Sequence, residues 1–99
     1  MTIAVLAMTS LKADGNEALE TYLSVVAPLM QAAGARLISR YEVSQSLSGS
    51  ELPHYVSIVE YPDDQALKMV FEHPDYIALQ GVKDKAFCRY DVCVLTQAA

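Results

Sequence analysis

The residues best suited to acid–base chemistry are an arginine and a glutamate in two segments that alternate like neighbouring strands, "ARLISRYEV" and "HYVSIVEY". If these strands form a hairpin centred near Gly49, even-numbered residues share a face, which places Arg40 opposite Ile58 and diagonally within reach of Glu60. A buried Arg and Glu must pair, because an unpaired buried charge is strongly destabilising. Glu60 is then a candidate general base and Arg40 a candidate anchor for a substrate carboxylate or enolate. The alternative is that the pair only sets strand register or dimer specificity.

A second candidate for catalysis lies in the segment "VFEHPDYIALQG". His73 is close to Asp75, and an imidazole beside a carboxylate is suited to take up a proton. The sequence places no Ser or Cys nucleophile beside it, so no hydrolytic triad is predicted. The alternative is a structural joint, since Pro74 suits the first position of a new short helix with Gly81 at its exit. The choice depends on whether His73 points into a pocket or into water.

Six tyrosines in a chain without tryptophan supply groups that suit an aromatic ligand. Tyr22 lies on the inward stripe of the first predicted helix, and Tyr41 shares the odd-numbered face of the hairpin with Tyr55 and Tyr61. Such rings usually pack in a core and satisfy the hydroxyl at its rim. The alternative is an aromatic-lined pocket for a small molecule. Its candidate substrate-binding residues are Tyr22, Arg40, Tyr41 and Tyr76.

Charge and composition narrow the classes of partner. The formal net charge of -5 and the scattered positions of the 7 cationic residues oppose binding to nucleic acid or to an anionic membrane surface. The apolar run near the start is far shorter than the roughly 20 residues that span a bilayer, and we expect a cytoplasmic protein. Cys88 and Cys93 fall on opposite faces of a predicted strand, and neither has ligands at metal-site spacing. No metal and no cofactor are therefore expected.

The elements that position these residues follow one another as strand, helix, strand, strand, helix, strand. A spacing of 3.6 residues predicts the two helices, the first capped by Asp14 or Asn16 and the second by Asp63 or Asp64. Alternation predicts the strands. Right-handed crossovers fold this order into a four-stranded antiparallel sheet with both helices on one face, the ferredoxin-like α+β arrangement. The 99 residues are expected to form one domain, 1–99.

Both faces of the predicted sheet are apolar, although two helices cover only one. In the first strand the even positions Ala4, Leu6 and Met8 are as apolar as the odd positions between them. A monomer would leave several hundred square ångströms of apolar surface in contact with water, which is unusual. The sequence therefore predicts a homodimer that forms face to face through the sheets.

Three motifs, taken in order and spacing, carry a family resemblance. Tyr22, Pro28 and Gly34 form a Tyr-x5-Pro-x5-Gly run, "EYP" reads as a Glu-aromatic-Pro strand end, and "HPDY" reads as a Ser-Pro-Glu-Tyr segment in which His73 replaces the serine. Together they resemble the domain-of-unknown-function 1330 family of the dimeric α+β barrel superfamily, over nearly the whole chain. The segment "VKDK" departs from the Arg-rich sequence that is common there.

This resemblance implies a ligand pocket between the sheet and the helices. The superfamily includes cofactor-independent monooxygenases that act on polycyclic aromatics, a lactone isomerase, haem-degrading enzymes and members without known activity. We therefore expect a cofactor-independent enzyme of the monooxygenase or isomerase type, acting on a small apolar or aromatic metabolite. The alternative is a non-catalytic dimer that binds a metabolite or regulates another process, and the sequence does not choose between the two.

Overall fold

Four strands and four helices make up the fold in the computed structural model, which describes residues 2–97. The strands are β1 (Ile3–Leu11), β2 (Arg36–Glu42), β3 (Tyr55–Tyr61) and β4 (Phe87–Leu95). The helices are α1 (Asn16–Ala33), α2 (Asp64–Phe71), α3 (Pro74–Ile77) and α4 (Gln80–Ala86). The predicted order is confirmed, with two short helices added before β4. The predicted domain 1–99 includes residues 1, 98 and 99, which lie outside the described residues.

The strands form one antiparallel sheet in the order β2-β3-β1-β4. This order follows from the two crossovers, since α1 leads the chain from β1 to one edge, and α2 to α4 lead it from β3 past β1 to the other edge. The apolar strand β1 therefore has a hydrogen-bonded neighbour on each side. The sheet with its helices is the ferredoxin-like α+β fold that the sequence predicts.

The two faces of the sheet have different surroundings. On one, here called the helix face, Val5 lies opposite Val59 and Val94 and belongs to the core that includes α1 and α2. On the other, the open face, Leu6 lies opposite Ile58 and Cys93. The chain forms a slab of 39 × 35 × 16 Å with a radius of gyration of 14.0 Å, against about 13 Å for a compact domain of this size. The flattened shape reflects a single layer of helices on a single sheet.

A bulge in β2 changes which hairpin residues share a face. Leu37 lies opposite Val59, but the next pair is Ser39 with Ile58, so Ile38 is an extra residue. Beyond the bulge Arg40 lies opposite Ser57 instead of Ile58, because one inserted residue moves every later side chain to the other face. The predicted diagonal between Arg40 and Glu60 is therefore wrong. So is the predicted sharing of a face by Tyr41, Tyr55 and Tyr61, since Tyr41 turns to the open face.

The helix ends follow local chemistry, with one correction. Asp63 caps α2 as predicted, its Oδ1 accepting from the backbone N–H of Ala66 at 2.8 Å, and Gly34 ends α1 with a left-handed φ of 78°. The predicted side-chain cap of α1 is wrong. The cap position is Gly15, which makes no side-chain bond, and its backbone packs against the backbone of α4.

The segment after α2 contains more helix than the sequence indicates. Pro74 begins α3, as predicted for the first position of a short helix. Gly81, however, lies inside α4 and is not the exit of α3. The polar run "KDK" continues α4 almost as far as β4, and α4 packs against α1.

We predict that Gly15→Ala destabilises the fold by about 1–3 kcal/mol, because the new Cβ would lie 2.6 Å from the backbone oxygen of Lys85. Gly81→Ala is the matched control, since nothing lies within 4 Å of its Cβ position. That control should stabilise the fold by about 0.5–1 kcal/mol, because alanine is the better helix former. Urea unfolding of both variants checks the pair, and equal midpoints would contradict the close approach of Gly15 to α4.

Candidate functional site

Three tyrosine hydroxyls from three separate elements meet under the helix face of the sheet. Tyr22 comes from α1, Tyr76 from α3 and Tyr90 from β4. The hydroxyl oxygen of Tyr90 lies 2.6 Å from that of Tyr22 and 2.8 Å from that of Tyr76. These are short O–H···O hydrogen bonds, and we call the group the tyrosine triad.

Local structure explains how each ring reaches this point. Tyr22 and Val26 are one helical turn apart on the buried stripe of α1. Tyr76 is carried inward by the short helix that Pro74 begins, and it is only 7% exposed. Tyr90 lies opposite Thr9 on the helix face of the edge strand. The three hydroxyls thus fix α1, α3 and β4 relative to one another.

Aromatic packing surrounds the triad on both sides. The ring of Tyr22 meets Phe87 edge to face at a centroid distance of 5.2 Å, and Phe71 meets Tyr76 in the same way at 5.0 Å. Tyr90 packs on Phe87 at 5.1 Å. Such ring pairs hold a defined geometry and exclude water. The hydroxyls therefore form a small polar group within an aromatic wall.

Two connected hollows adjoin the triad. An inner cavity of about 80 Å³ lies between the sheet, α1 and α2, with apolar side chains and Tyr61 in its wall beside all three members of the triad. An open cleft of about 410 Å³, here called the outer cleft, lies along β4 and α2 with Lys68 and Glu72 at its sides. The two share five wall residues, which are Val5, Phe71, Tyr76, Tyr90 and Val92. A small molecule in the outer cleft would therefore contact two rings of the triad.

Two other hollows formed by the described residues lie away from the triad. One of about 480 Å³ is lined by the end of β2 and the loop that leads to β3, residues 42–54, with Glu42, Glu51 and His54 among its polar side chains. Another of about 500 Å³ lies between the β1–α1 turn, α1 and α4, with charged side chains such as Lys12, Asp14 and Lys85. Neither has the mostly apolar wall that is usual for a small-molecule site.

Burial keeps the phenols of this region protonated at neutral pH. It raises the pKa of Tyr22 to about 12 and that of Tyr61 to about 12. Burial also raises the pKa values of Tyr76 and Tyr90, and their neighbouring phenols add to the effect. A protonated phenol donates a hydrogen bond but is a poor base near pH 7. The triad is therefore suited to stabilise a negative charge and unsuited to remove a proton.

The triad always has one hydrogen left to donate. Three hydroxyl hydrogens are present and two hydroxyl–hydroxyl bonds consume two of them. Within residues 2–97 the only other partner of these oxygens is the ammonium of Lys83, which lies 3.5 Å from the Tyr76 oxygen and can only donate. The remaining hydrogen thus has no acceptor in the described chain, and a ligand oxygen in the cavity would supply one.

The structure brings together only some of the residues that the sequence singles out. Tyr22 and Tyr76 meet in the triad. Glu60 lies on the open face and pairs with Arg36, at 3.3 Å, instead of Arg40. Arg40 is exposed, with its guanidinium 4.5 Å from the ring centroid of Tyr55. A catalytic role for Glu60 stays a prediction. The bulge in β2 separates it from Arg40, and its position on the open face separates it from the cavity.

Two further candidates also lie away from the cavity. Tyr41 is 60% exposed on the open face. His73 caps α3, its Nδ1 accepting from the backbone N–H of Asp75 at 3.1 Å, and its side chain is 39% exposed. It is part of neither the inner cavity wall nor the outer cleft wall. Its catalytic role stays a prediction, while the structure gives it a capping role.

Tyr90, Lys83 and Glu72 are the members of this region that sequence reasoning missed. Tyr90 lies in a strand whose two faces are similarly apolar, so alternation alone did not show which side meets the helices. Lys83 lies in "KDK", whose seven-residue helix is too short for a clear period. The signal in the sequence for Glu72 is its position next to His73, and the sequence favours the His73 imidazole as the proton acceptor.

Among residues 2–97, no group of three or more His, Cys, Asp or Glu side chains is placed to hold a metal ion. Over the same residues, none of the helices has the length and apolar character needed to cross a membrane.

Comparisons with solved structures agree with this architecture. A protein of unknown function from Rhodopseudomonas palustris, RPA0582, superposes with a TM-score of 0.81 at 21% identity, over 99% of this chain and 83% of that one. A dimeric ferredoxin-like protein of unknown function from Bacteroides fragilis gives 0.56 at 11% identity, over 95% and 94%. SnoaB, a cofactor-independent oxygenase from Streptomyces nogalater, gives 0.62 at 9% identity, over 99% and 94%. At these identities the likeness shows the fold alone.

Sequence comparison identifies the family directly. No curated protein matches this sequence. The family model described as "Domain of unknown function (DUF1330)" matches residues 4–97, which span all four strands, the triad and both hollows. The chain therefore belongs to the DUF1330 family, as its Tyr-Pro-Gly, Glu-Tyr-Pro and His-Pro-Asp-Tyr motifs indicate.

Proposed function

We propose that this protein is a homodimeric, cofactor-independent enzyme of the isomerase or monooxygenase type that acts on a small apolar or aromatic metabolite in the outer cleft and inner cavity. The observation that carries the proposal is the triad, a set of protonated phenols with a spare hydrogen in an otherwise apolar wall. Apolar walls with a few convergent polar groups are typical of small-molecule sites. The fold shared with the oxygenase SnoaB supports the same class.

The chemistry that fits this site is enolate formation. A phenol donor in a dry site stabilises the negative charge that develops on a carbonyl oxygen when the adjacent carbon loses a proton. The proton passes to the carboxylate of Glu72, the one carboxylate in the wall of the outer cleft, while the C–H electron pair shifts toward the oxygen. An isomerase returns the proton to another carbon. A monooxygenase lets the enolate react with dioxygen, with one oxygen atom kept by the product and the other leaving as water.

A non-catalytic metabolite-binding module is the second candidate. The observation that favours it is the inner cavity wall, which contains phenols but no carboxylate and no imidazole. A ligand held entirely inside that cavity would have no base beside it. The two functions separate on one point, which is whether the protein accelerates proton removal from a bound ketone.

The open face favours the predicted homodimer. It presents Leu6, Met8, Val56 and Ile58 without a covering helix in the described chain, and each broad face of the 39 × 35 Å slab exceeds the roughly 800 Å² that a partner buries in a stable interface. The dimeric ferredoxin-like protein from Bacteroides fragilis supports this assembly.

The free thiols of Cys88 and Cys93 also fit the predicted cytoplasmic location, where disulfides are rare.

For ligand binding, we predict that 1-naphthol binds more tightly than naphthalene, because its hydroxyl oxygen can accept the spare hydrogen of the triad. Tyr90→Phe removes the central hydroxyl, so the hydroxyls of Tyr22 and Tyr76 lose the bonds that orient them, and we expect a smaller preference and about fivefold weaker 1-naphthol binding, the value of one hydrogen bond. Tyr55→Phe, which deletes a phenolic oxygen outside both walls, is the matched control. Calorimetric titration measures the affinities, and equal affinity of the two probes for the native protein would contradict the role of the triad.

For catalysis, we predict that the protein accelerates exchange of the α-hydrogens of 2-tetralone for deuterium in D₂O, followed by NMR. Tyr90→Phe removes the hydroxyl that orients the other two donors, and we expect it to lower the rate about 100-fold. Glu72→Gln should abolish the acceleration, whereas His73→Asn, which keeps a capping side chain, tests the imidazole separately. If 2-tetralone binds without accelerated exchange, the metabolite-binding module is the correct function.

For assembly, we predict that light scattering at micromolar concentration gives a dimer mass for the native protein and a monomer mass for Leu6→Lys. The lysine would place a charge at the centre of the open face, opposite Ile58 and Cys93. Leu23→Lys is the control, because Leu23 is 50% exposed on α1. Circular dichroism confirms that both variants fold. A native mass that stays that of a monomer at every concentration would overturn the dimer.

A further inference from the structure

We propose that Lys83 is the outer end of a hydrogen-bonded chain, Lys83–Tyr76–Tyr90–Tyr22. This chain directs the spare phenolic hydrogen into the inner cavity. The site therefore selects ligands whose buried oxygen is an acceptor or an anion, such as a phenolate or an enolate. The inference rests on the proposed function and specifies its ligand class. Lys83 is a positioning residue here, since it acts through the tyrosines.

Lys83 reaches the triad from the side away from the cavity. Its Nζ lies 4.7 Å from the ring centroids of both Tyr76 and Tyr90 and 3.5 Å from the Tyr76 oxygen. It lines a separate surface groove of about 280 Å³ and is absent from the walls of the inner cavity and the outer cleft. Tyr90 borders both the groove and the inner cavity. The two rings therefore separate the ammonium from the site while the hydroxyls connect them.

The direction of the chain follows from the groups that can accept. An ammonium has three donors and no acceptor, so the Tyr76 oxygen accepts from Lys83. The cation polarises the Tyr76 O–H, which favours donation of the Tyr76 hydrogen to Tyr90. The spare hydrogen then belongs to Tyr90 or Tyr22, both of which border the inner cavity. Without the ammonium, the order can reverse. Tyr22 would donate to Tyr90 and Tyr90 to Tyr76, which moves the spare hydrogen from Tyr22 or Tyr90 to Tyr76.

The charged groups around Lys83 leave this arrangement intact. Burial lowers the pKa of the Lys83 ammonium, and the adjacent carboxylate of Asp84 acts in the opposite direction. Asp84 accepts a hydrogen bond from Gln80 on the same helix. Arg89, which faces the groove from β4, is paired with Asp91 at 2.7 Å. Lys83 is therefore the cation whose donors are directed at the triad.

A chain of hydrogen bonds that ends in a donor lowers the pKa of a bound phenol, because the donor stabilises the phenolate more than the neutral phenol. The probe is 4-nitrophenol, whose anion absorbs visible light and so reports its own ionisation when bound. Burial in the site raises the pKa of the bound phenol, so the contribution of the donated hydrogen bond is read as the difference in bound pKa between the native protein and its variants. Lys83→Met should raise the bound value by about one pH unit, and Lys83→Arg should keep it low. Lys85→Met, which removes the same charge from the same helix, should leave the bound value as in the native protein.

Tyr76→Phe distinguishes the effect of the hydrogen-bonded chain from that of the Lys83 charge acting through space. This variant keeps the ammonium but removes the oxygen that links it to Tyr90, so we expect the same rise as in Lys83→Met. A bound pKa that stays low in Tyr76→Phe, or that rises equally in Lys85→Met, would overturn the chain in favour of simple electrostatics. Binding of 4-nitrophenol with the same bound pKa in the native protein and in Lys83→Met would overturn this inference and leave the cleft as a binding site. Absence of binding would overturn the proposed function and the inference together.

Discussion

The sheet has apolar side chains on both faces but helices on only one, and the rest of the architecture depends on this mismatch. The helix face buries Val5 and Val59 in the core between the sheet and the helices. A small-molecule site on this face therefore has to be a hollow in that core. The open face keeps Leu6 and Ile58 partly exposed. A slab 16 Å thick cannot bury both faces by itself, which is why the proposed dimer interface and the proposed ligand site fall on opposite sides of one sheet.

Polar groups inside such a thin core have to satisfy one another. A buried hydroxyl without a partner costs about 1–3 kcal/mol, and each phenol of the triad would carry that cost alone. Because Tyr22, Tyr76 and Tyr90 come from different elements, their bonds require α1, α3 and β4 to reach one arrangement together. The short helix α3 that brings Tyr76 inward begins at Pro74 and is capped by His73. The segment "HPDY" is therefore a structural joint that also positions the phenol of Tyr76.

The fold could be predicted because it rests on long periodic segments. Tyr22 was found by its 3.6-residue spacing and Tyr76 by its position after Pro74, and both belong to the site. The bulge at Ile38 could not be found in the same way, because Leu37 and Ile38 are both apolar and suit either face of a half-exposed edge strand. One inserted residue then reversed the faces of Arg40 and Tyr41, and gave Glu60 the neighbour Arg36. Pair predictions across a hairpin are this sensitive because the side-chain period is two.

The position of Lys83 explains how one cavity can accept an apolar ligand and still stabilise its anion. An ammonium in the cavity wall would have to lose water before an apolar molecule could bind, and that desolvation is costly. Behind the rings of Tyr76 and Tyr90 the ammonium stays in a polar groove and gains cation–π attraction instead. Only hydroxyls reach the cavity, and they are neutral until a charge develops on the ligand. The proposed site would thus be apolar to a ligand in its ground state and a hydrogen-bond donor to its anion, which is the difference in binding that catalysis requires.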